Sequence, residues 1–279
     1  MAGIRVVTDS AGDLDRAEMA KRHLPIVDLD VRLGDLGPDI TGEWGPEEFW
    51  RQCSKSDLLP ETSAPSPGAF QSVYEAAAEE GADGVVCVTL SSKLSATYQS
   101  AVAAAEASSG TIPVRVVDSL SATMGEGLTV LAALEAAEAG GDLDAVEAAA
   151  LAARDKTRVY GSLDTLDNLR KGGRIGGAQA FLGSLLSIKP VIEVRSGAVE
   201  PESRQRTRNR SLQYLADKVK QAGPIEKLAI VHAAAADVDT LAEMLGQSFD
   251  RSEIMVAFVG PVIGTHTGPG TIGVCLLLA

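Results

Sequence analysis

The hydrophobic positions in the first half of the chain follow two alternating patterns. Short runs rich in β-branched residues have the composition of buried strands and lie at residues 4–8, 84–90 and 114–117. Ala-rich stretches with helical periodicity separate and follow them, at about residues 70–80, 94–107 and 122–139. Strands that alternate with helices in this way predict a parallel sheet with helical crossovers, so an α/β domain is expected here.

After Arg158 the pattern changes. The stretch "VIEVRSGAVEPESR" contains two extended runs joined at Ser196 and Gly197, which predicts a β-hairpin. Further strands are expected at residues 227–233, 253–259 and 271–278, and helices at about 208–221 and 238–246. This order predicts an α+β domain with a mixed or antiparallel sheet. A chain of 279 residues is near the length at which one core divides into two, so we predict domains at residues 1–157 and 158–279.

Composition and charge exclude several classes of function. The chain has 38 acidic and 25 basic residues, a formal charge of -13 that repels phosphate backbones. Aromatic residues make up 4%, too few for a platform on which nucleic-acid bases stack. We therefore expect no nucleic-acid partner.

Cysteine usage and hydropathy indicate the compartment. Cys53, Cys87 and Cys275 are odd in number and widely spread, which fits a reducing environment better than a disulfide framework. No basic leader is visible, and no apolar run approaches the roughly 18 residues of a membrane span. A cytoplasmic protein without an integral membrane segment is expected.

Several common sites are missing from the sequence. It contains no GxxxxGK[ST] phosphate loop, and "KGGRIGGAQ" is interpreted as a helix end followed by a turn. The three histidines stand far apart without an HExxH pair. Asp9, Asp13 and Asp15 have only part of a calcium-loop spacing and are interpreted as solvated carboxylates. We therefore expect neither a metal nor a cofactor.

Hydroxyl side chains follow each of the three predicted strands of the first domain, in "TDSAGDL", "TLSSKLSAT" and "VDSLSAT". At any single strand, N-capping of the next helix explains them. Because the carboxyl ends of neighbouring parallel strands face one crevice, three such ends together predict a ligand site.

Neutral hydrogen-bonding groups are concentrated in "ETSAPS", "SSKLSAT" and the predicted loop "GPVIGTHTGPG". The candidates are Thr62, Ser63, Ser66, Ser91, Ser92, Ser95, Thr97, Thr265, His266 and Thr267. Such groups can hold a carboxylate or phosphate at the mouth of an apolar pocket. Two alternatives stay open: Thr62 and Ser95 as helix caps, and His266 as a core histidine.

Seven motifs occur in the order found in one known family. They are "VTDSAGDL", "TSAPSPGAF", "LSSKLSATYQSA", "VDSLSATMGEGL", "LDTLDNLRKGGRIGGAQAFLGSLLSIKPVIEV", "GAVEPESRQRTR" and "GPVIGTHTGPGTIGV". Together they span residues 4–278, and over this length the chain resembles the DegV family.

The resemblance implies a bacterial fatty-acid-binding protein, the FakB-type subunit of a fatty acid kinase. It implies two α/β domains that hold one long-chain fatty acid between them, with the acyl chain in a closed tunnel. A separate ATP-dependent kinase, similar to dihydroxyacetone kinases, would convert the presented carboxylate to an acyl-phosphate. The bound fatty acid is then the ligand, and the chain itself is not expected to be an enzyme.

The resemblance also assigns site residues. The carboxylate-binding hydroxyls of the family correspond to Thr62, Ser63, Ser92 and Ser95, and its histidine corresponds to His266. His266 is expected to bind the ligand, to assist its phosphorylation, or both.

Two groups of arginines receive different interpretations. Arg174, in "GGRI", matches a family arginine that we assign to the support of phosphoryl transfer, although pairing with a helix C-terminus is an alternative. The run "ESRQRTRNR" is either a solvated charge run or a docking patch for the kinase, formed by Arg204, Arg206, Arg208 and Arg210.

Two other functions remain open at this point. One is a stand-alone acyl hydrolase or transferase in which Ser92 or Ser95 is the nucleophile and His266 the base. The absence of a G-x-S-x-G motif around these serines disfavours it. The other is an α/β binding module for a polar metabolite.

Overall fold

A computed structural model describes residues 3–37, 44–56, 58–182 and 188–279. The strands are β1 (Ile4–Asp9), β2 (Ile26–Val27), β3 (Asp30–Arg32), β4 (Glu61–Ser63), β5 (Gly84–Thr89), β6 (Val114–Asp118), β7 (Thr157–Ser162), β8 (Lys189–Arg195), β9 (Ala198–Gln205), β10 (Ile225–His232), β11 (Ile254–Phe258) and β12 (Ile272–Leu278). The α-helices are α1 (Arg16–Lys21), α2 (Pro46–Cys53), α3 (Pro67–Glu79), α4 (Thr97–Ala107), α5 (Met124–Glu138), α6 (Leu143–Lys156), α7 (Asp167–Lys171), α8 (Arg208–Gln221), α9 (Val238–Leu245) and α10 (Pro261–Thr267). Three short 3₁₀ segments are Ser10–Gly12, Gly176–Phe181 and Arg251–Glu253.

The chain forms two compact units, and neither is continuous. The first consists of Met1–Leu29 and Ser63–Thr157, and the second of Asp30–Thr62 and Arg158–Ala279. The pattern of the chain predicted one boundary, with residues 30–62 in the first domain. In the structure these residues belong to the second unit, because Trp50 packs so closely on α10 that a Cβ at Gly264 would lie 2.9 Å from its ring.

The first unit is built on a four-stranded sheet in the order β2-β1-β5-β6, with every pair parallel. Every residue of β5 is buried, as expected for a central parallel strand covered on both faces. Side chains of α3 and α4, among them Phe70, Tyr74 and Ala101, form a core with the sheet. The three strands predicted from the sequence are confirmed.

Local signals in the sequence set the ends of these helices. Ser66 accepts a hydrogen bond from Ala69 N–H and caps α3, whose first residue is proline. Asp142 accepts from Ala145 N–H and caps α6. The "AGG" stretch after α5 contains Gly140 at φ 84°, a left-handed conformation that suits glycine at a helix end.

The second unit contains a six-stranded mixed sheet in the order β11-β10-β12-β7-β8-β9. β10 and β11 are parallel, whereas β10 and β12, β7 and β8, and β8 and β9 are antiparallel. Helices α8 and α9 cover it with a core that includes Leu212, Leu215 and Leu241. The predicted fold class, a parallel α/β unit and an α+β unit with a mixed sheet, is confirmed.

The predicted hairpin at Ser196 and Gly197 is also confirmed. Both residues have positive φ, 50° and 82°, the geometry of the two central residues of a type I′ turn. This turn joins β8 to β9 in the antiparallel register Arg195↔Ala198.

Two expectations from the sequence are wrong. "GPVIGTHTGPG" was expected to be a loop, but residues 261–267 form the short helix α10, which starts at a proline and ends before Gly268 at φ 82°. Asp9 was expected to be solvated, but its side chain is buried and accepts hydrogen bonds from the N–H groups of Ala11 and Leu90.

The described part of the chain contains no helix with the length and hydropathy needed to cross a bilayer. Across the same residues, no group of three or more histidine, cysteine or acidic side chains is arranged to hold a metal ion.

Candidate functional site

A cavity of about 660 Å³ lies within the second unit. The segments around Arg32, Thr62, Gly172 and His266 line it, so residues far apart in the sequence meet there. Its volume falls in the range of small-molecule pockets.

A hydrogen bond of 2.8 Å between Thr62 Oγ1 and His266 Nε2 is the central contact of this cavity. Thr62 lies on β4 and His266 near the end of α10. The other ring nitrogen, His266 Nδ1, is buried and has no hydrogen-bond partner among the described residues. This nitrogen faces Gly172, where an added Cβ would collide with it, so Nε2 is the nitrogen that a ligand would contact.

The imidazole is held by close packing of α7 against α10. A Cβ at Gly172, which follows α7, would lie 3.0 Å from His266 Cε1 and would also collide with Nδ1. Asn168 Nδ2 donates to the Thr265 carbonyl oxygen at 3.0 Å, which ties α7 to the residue before the histidine. Glycine at position 172 thus permits the backbone to approach the ring.

Burial keeps His266 uncharged. Loss of solvation lowers its pKa to about 4, and the positive charge of Arg174 lowers it in the same direction. At neutral pH the imidazole is a neutral group with one donor and one acceptor nitrogen.

The cavity is basic in an acidic protein. Of the described residues that line it, three are cationic, Arg32, Lys171 and Arg174, and one is acidic, Glu61. The Arg174 Nη1 group donates to the Gly172 carbonyl oxygen at 2.7 Å, so this guanidinium is anchored beside the histidine. An excess of positive charge in a chain of net charge -13 favours an anionic ligand here.

The structure brings three of the predicted site residues, Thr62, His266 and Arg174, into this one cavity. Thr62 does not cap a helix, because it lies in a strand and bonds the histidine. Thr265 and Thr267 were expected to offer donors to a ligand. Their hydroxyls instead donate to the carbonyl oxygens of Pro261 and Ile263 within α10, at 2.7 and 3.2 Å.

The other hydroxyls that the family resemblance assigns to the ligand, Ser63, Ser92 and Ser95, belong to the first unit. Ser63 is exposed at the end of β4, and the other two lie in the loop between β5 and α4. Ser92 N–H donates to Asp118 Oδ1 at 3.1 Å. Ser95 Oγ is 2.8 Å from Thr97 Oγ1 and accepts from Thr97 N–H at 3.3 Å, so this hydroxyl supports the start of α4.

Sequence reasoning missed three residues of the cavity. Lys171 is next to the "GGR" stretch that drew attention to Arg174, so its position was a usable signal. Asn168 contributes a hydrogen bond to α10, and no local sequence pattern predicts this bond. Arg32 lies on β3 in a segment of unremarkable composition, and only the fold places it in the lining.

The four arginines of the predicted docking patch have different surroundings. Arg204 is exposed, donates to the Ala180 carbonyl oxygen at 3.0 Å and stacks over the Phe181 ring at 4.6 Å. Arg208 forms a two-pronged ion pair with Asp237, with nitrogen–oxygen distances of 2.6 and 2.8 Å. Arg206 and Arg210 are exposed.

Comparison with known proteins gives one consistent result. The model of the DegV family matches residues 3–279. A DegV domain-containing protein of Streptomyces coelicolor is 39% identical over 277 residues, which is 97% of each chain. Among solved structures, a DegV family protein from Thermus thermophilus described as fatty-acid binding has a TM-score of 0.91 and 36% identity, over 99% of this chain and 100% of that one. A DegV lipid-binding protein from Thermotoga maritima has a TM-score of 0.85 and 31% identity, over 99% and 98%. The chain therefore belongs to the DegV family.

Proposed function

We propose that this chain binds a long-chain fatty acid and presents its carboxylate, in the cavity of the second unit, to a separate ATP-dependent kinase that forms the acyl-phosphate. It would then be the FakB-type subunit of a fatty acid kinase, and not itself the enzyme. The observation that carries the proposal is the Thr62–His266 pair in a cavity with three cationic side chains. The fatty-acid- and lipid-binding relatives support the choice of ligand.

The chemistry of the cavity suits a carboxylate that must remain reactive. A hydroxyl and a neutral imidazole are weaker partners than a two-pronged arginine, so they orient a carboxylate oxygen without saturating it. Burial of the acyl chain adds about 0.8 kcal/mol per methylene and would supply most of the affinity. Thr62 and His266, together with the predicted Ser63, Ser92 and Ser95, would then determine the orientation of the bound acid.

Charge compensation during phosphoryl transfer would come from the arginine. His266, whose pKa lies near 4, carries no charge at neutral pH before the ligand binds. Arg174 is a cationic side chain that lines the same cavity, so it suits the negative charge that develops on the transferred phosphoryl group. In this proposal His266 orients the carboxylate and Arg174 stabilises the transition state.

The kinase would dock on exposed positive charge. Arg208 is engaged with Asp237, and Arg204 is engaged with Ala180 and Phe181. Arg206 and Arg210 are therefore the members of the predicted patch with the best opportunity to meet an acidic partner surface.

Lipid extraction tests the choice of ligand. Purified protein is denatured, extracted and analysed by mass spectrometry, and a stoichiometric long-chain fatty acid is expected. Thr62→Val should retain less of it, whereas Thr111→Val, at an exposed position in the first unit, should retain as much as the wild type. Extracts without fatty acid, together with hydrolysis of acyl esters by the isolated protein, would favour the serine hydrolase instead.

A reconstituted kinase assay tests the two roles in the cavity. Arg174→Gln and His266→Ala should still bind fatty acid but should form acyl-phosphate more slowly. Arg170→Gln is the matched control, because the Arg170 side chain is exposed, pairs with Asp167 three residues earlier and does not line the cavity. Acyl-phosphate formation at the wild-type rate in the Arg174 variant would contradict its assignment.

A further inference from the structure

The loop that carries Ser92 and Ser95 is held from both sides at the carboxyl edge of the parallel sheet. From β1, Asp9 Oδ2 accepts from Leu90 N–H at 2.8 Å. From β6, Asp118 Oδ1 accepts from Ser92 N–H at 3.1 Å. Between them, Ser91 N–H donates to the Ser121 carbonyl oxygen at 2.9 Å. Three successive amides of this loop are therefore fixed by neighbouring chain segments.

Asp9 is the buried member of this arrangement. Its other carboxylate oxygen, Oδ1, accepts from Ala11 N–H at 2.9 Å, so the group receives two backbone hydrogen bonds and 1% of its surface is exposed. Two such bonds favour the ionised form, whereas burial disfavours it. Burial dominates and raises the pKa of Asp9 to about 6, so at neutral pH it is an anion that clamps the loop.

A second carboxyl group, Glu126 near the start of α5, is completely buried beside Asp9. Its Oε1 accepts from Thr8 Oγ1 at 3.2 Å, and its Oε2 has no hydrogen-bond partner among the described residues. The start of α5 packs so tightly on the turn after β1 that a Cβ at Gly127 would lie 2.7 Å from the Gly12 carbonyl oxygen. Glu126 is thus enclosed by tightly packed backbone.

The groups that face Glu126 leave it without a counter-charge. Asp9 and Asp13 come from β1 and the turn after it, and their negative charges raise its pKa further after burial has done so. The Cys87 thiol on β5 lies close enough that Asp9 and Glu126 both raise the pKa of Cys87. Among the described residues no basic side chain contributes to these shifts. Burial and the neighbouring anions therefore both favour the protonated form of Glu126 beside the Asp9 carboxylate.

We propose that Asp9 is a positioning residue for the loop that carries Ser92 and Ser95, and that the proton held on Glu126 makes this positioning depend on pH. When Glu126 loses its proton, two buried anions face each other, and their repulsion displaces Asp9 from the loop amides. The loop effect stands on contacts within the first unit. Its consequence for ligand binding rests on the proposed function of Ser92 and Ser95.

An NMR titration tests the loop effect directly. The amide resonances of Leu90 and Ala11 are followed from about pH 7, above the pKa of Asp9, to about pH 9, the range reached by buried glutamates. In the wild type both should shift with one common midpoint. Glu126→Gln, which cannot lose a proton, should show no such titration, whereas Glu135→Gln, at an exposed position of the same helix, should behave as the wild type. A titration that persists in Glu126→Gln, or wild-type resonances that do not move, would overturn the proposal.

Fatty-acid affinity measured over the same pH range separates this proposal from the proposed function. The wild-type dissociation constant should rise by up to tenfold per pH unit above the midpoint relative to Glu126→Gln. The ligand's own ionisation is the same for both proteins and cancels in the ratio. If the loop resonances titrate but the ratio stays constant, the positioning effect holds and the ligand role of Ser92 and Ser95 fails. If neither changes, the positioning proposal fails.

Discussion

The two units bury ionisable groups in opposite electrostatic surroundings. In the first unit, Asp9 and Glu126 are buried among other acidic groups, and their pKa values are raised. In the second, His266 is buried in a cavity lined by cationic side chains, and its pKa is lowered. Loss of solvation is the largest cause in all three cases, and it always favours the neutral form.

The difference between the two sites lies in what the neutral form accomplishes. In the first unit a stored proton prevents two carboxylates from repelling each other. In the second unit an uncharged imidazole leaves the positive charge of the cavity to the cationic side chains Arg32, Lys171 and Arg174. The Asp9–Glu126 pair thus avoids a second negative charge, whereas the cavity around His266 keeps its positive charge available for an anionic ligand.

The largest effect on the free energy of unfolding is expected when Asp9, which holds two buried backbone N–H groups of the first unit, is replaced. Asp9→Ala leaves the buried N–H groups of Ala11 and Leu90 without an acceptor, at about 1–3 kcal/mol for each. Urea unfolding should therefore show a loss of roughly 2–6 kcal/mol in the free energy of unfolding. Asp15→Ala removes an exposed N-cap of α1 and should cost only about 1 kcal/mol. Equal losses in the two variants would mean that the Asp9 clamp contributes little.

In the basic cavity, the corresponding disruption is Gly172→Ala. The added methyl group collides with the His266 ring, so the free energy of unfolding should fall by roughly 1–3 kcal/mol. Acyl-phosphate formation, measured in the reconstituted kinase assay, should slow at the same time. Gly110→Ala is the control, because nothing lies within 4 Å of its Cβ position. Acyl-phosphate formation at the wild-type rate by Gly172→Ala would show that the position of the His266 ring is unimportant for the reaction.

The stored proton should be visible in the pH dependence of stability. Glu126 ionises near its ordinary value when unfolded but at a higher pH when folded, so the folded state binds more protons in between. Wild-type stability relative to Glu126→Gln should therefore decline as pH rises, by up to about 1.4 kcal/mol per pH unit. Denaturant unfolding at several pH values measures this slope, and Glu135→Gln should reproduce the wild-type slope. Parallel curves for the wild type and Glu126→Gln would contradict the buried proton.

In the basic cavity, ligand binding should raise the pKa of His266. A carboxylate beside His266 favours the imidazolium form, so the pKa of His266 should rise from about 4 when fatty acid binds. NMR titration of the imidazole resonances with and without ligand measures the change. His232, whose pKa is lowered by burial alone, is an internal reference that should stay constant. An equal shift of both histidines would indicate a general rearrangement instead of a local contact.

The smallest effect concerns the surface arginines. The Arg206→Gln and Arg210→Gln double variant should slow association with the kinase, because exposed charges mainly steer encounter. The salt dependence of the association rate should become shallower. Arg16→Gln, at an exposed position that pairs with Asp28, is the control. If the association rate of the wild type with the kinase does not depend on salt, these arginines do not steer the encounter.

Much of the fold could be predicted because local patterns and tertiary packing agree there. The strands of the first sheet are continuous apolar runs, and the β8–β9 hairpin has a turn whose residues adopt positive φ. Helix α10 could not be predicted, because Gly264, Thr265 and Thr267 are weak helix formers. It forms where the Trp50 ring packs against Gly264 and the threonine hydroxyls bond back to the helix.

The candidate site was predictable only in part, for a similar reason. Thr62, Arg174 and His266 were found because they lie in recognisable motifs, and the structure brings all three to one cavity. Arg32 and Glu126 gave no signal, since a lone charged residue in a sequence is ordinarily solvent-exposed. Arg32 acquires its significance from the position of β3 in the second unit, and Glu126 from the close approach of α5 to the turn after β1.

The second unit is built from two separate segments of the chain, and this affects how it folds during synthesis. Residues 30–62 leave the ribosome early, yet the segments with which they pack, residues 158–279, follow only after the whole first unit has been made. Until then Trp50 lacks its partner Gly264 and presents aromatic surface, the kind of surface that chaperones bind. The first unit can complete its sheet on the nascent chain. The cavity with His266 is among the last parts of the protein to be assembled.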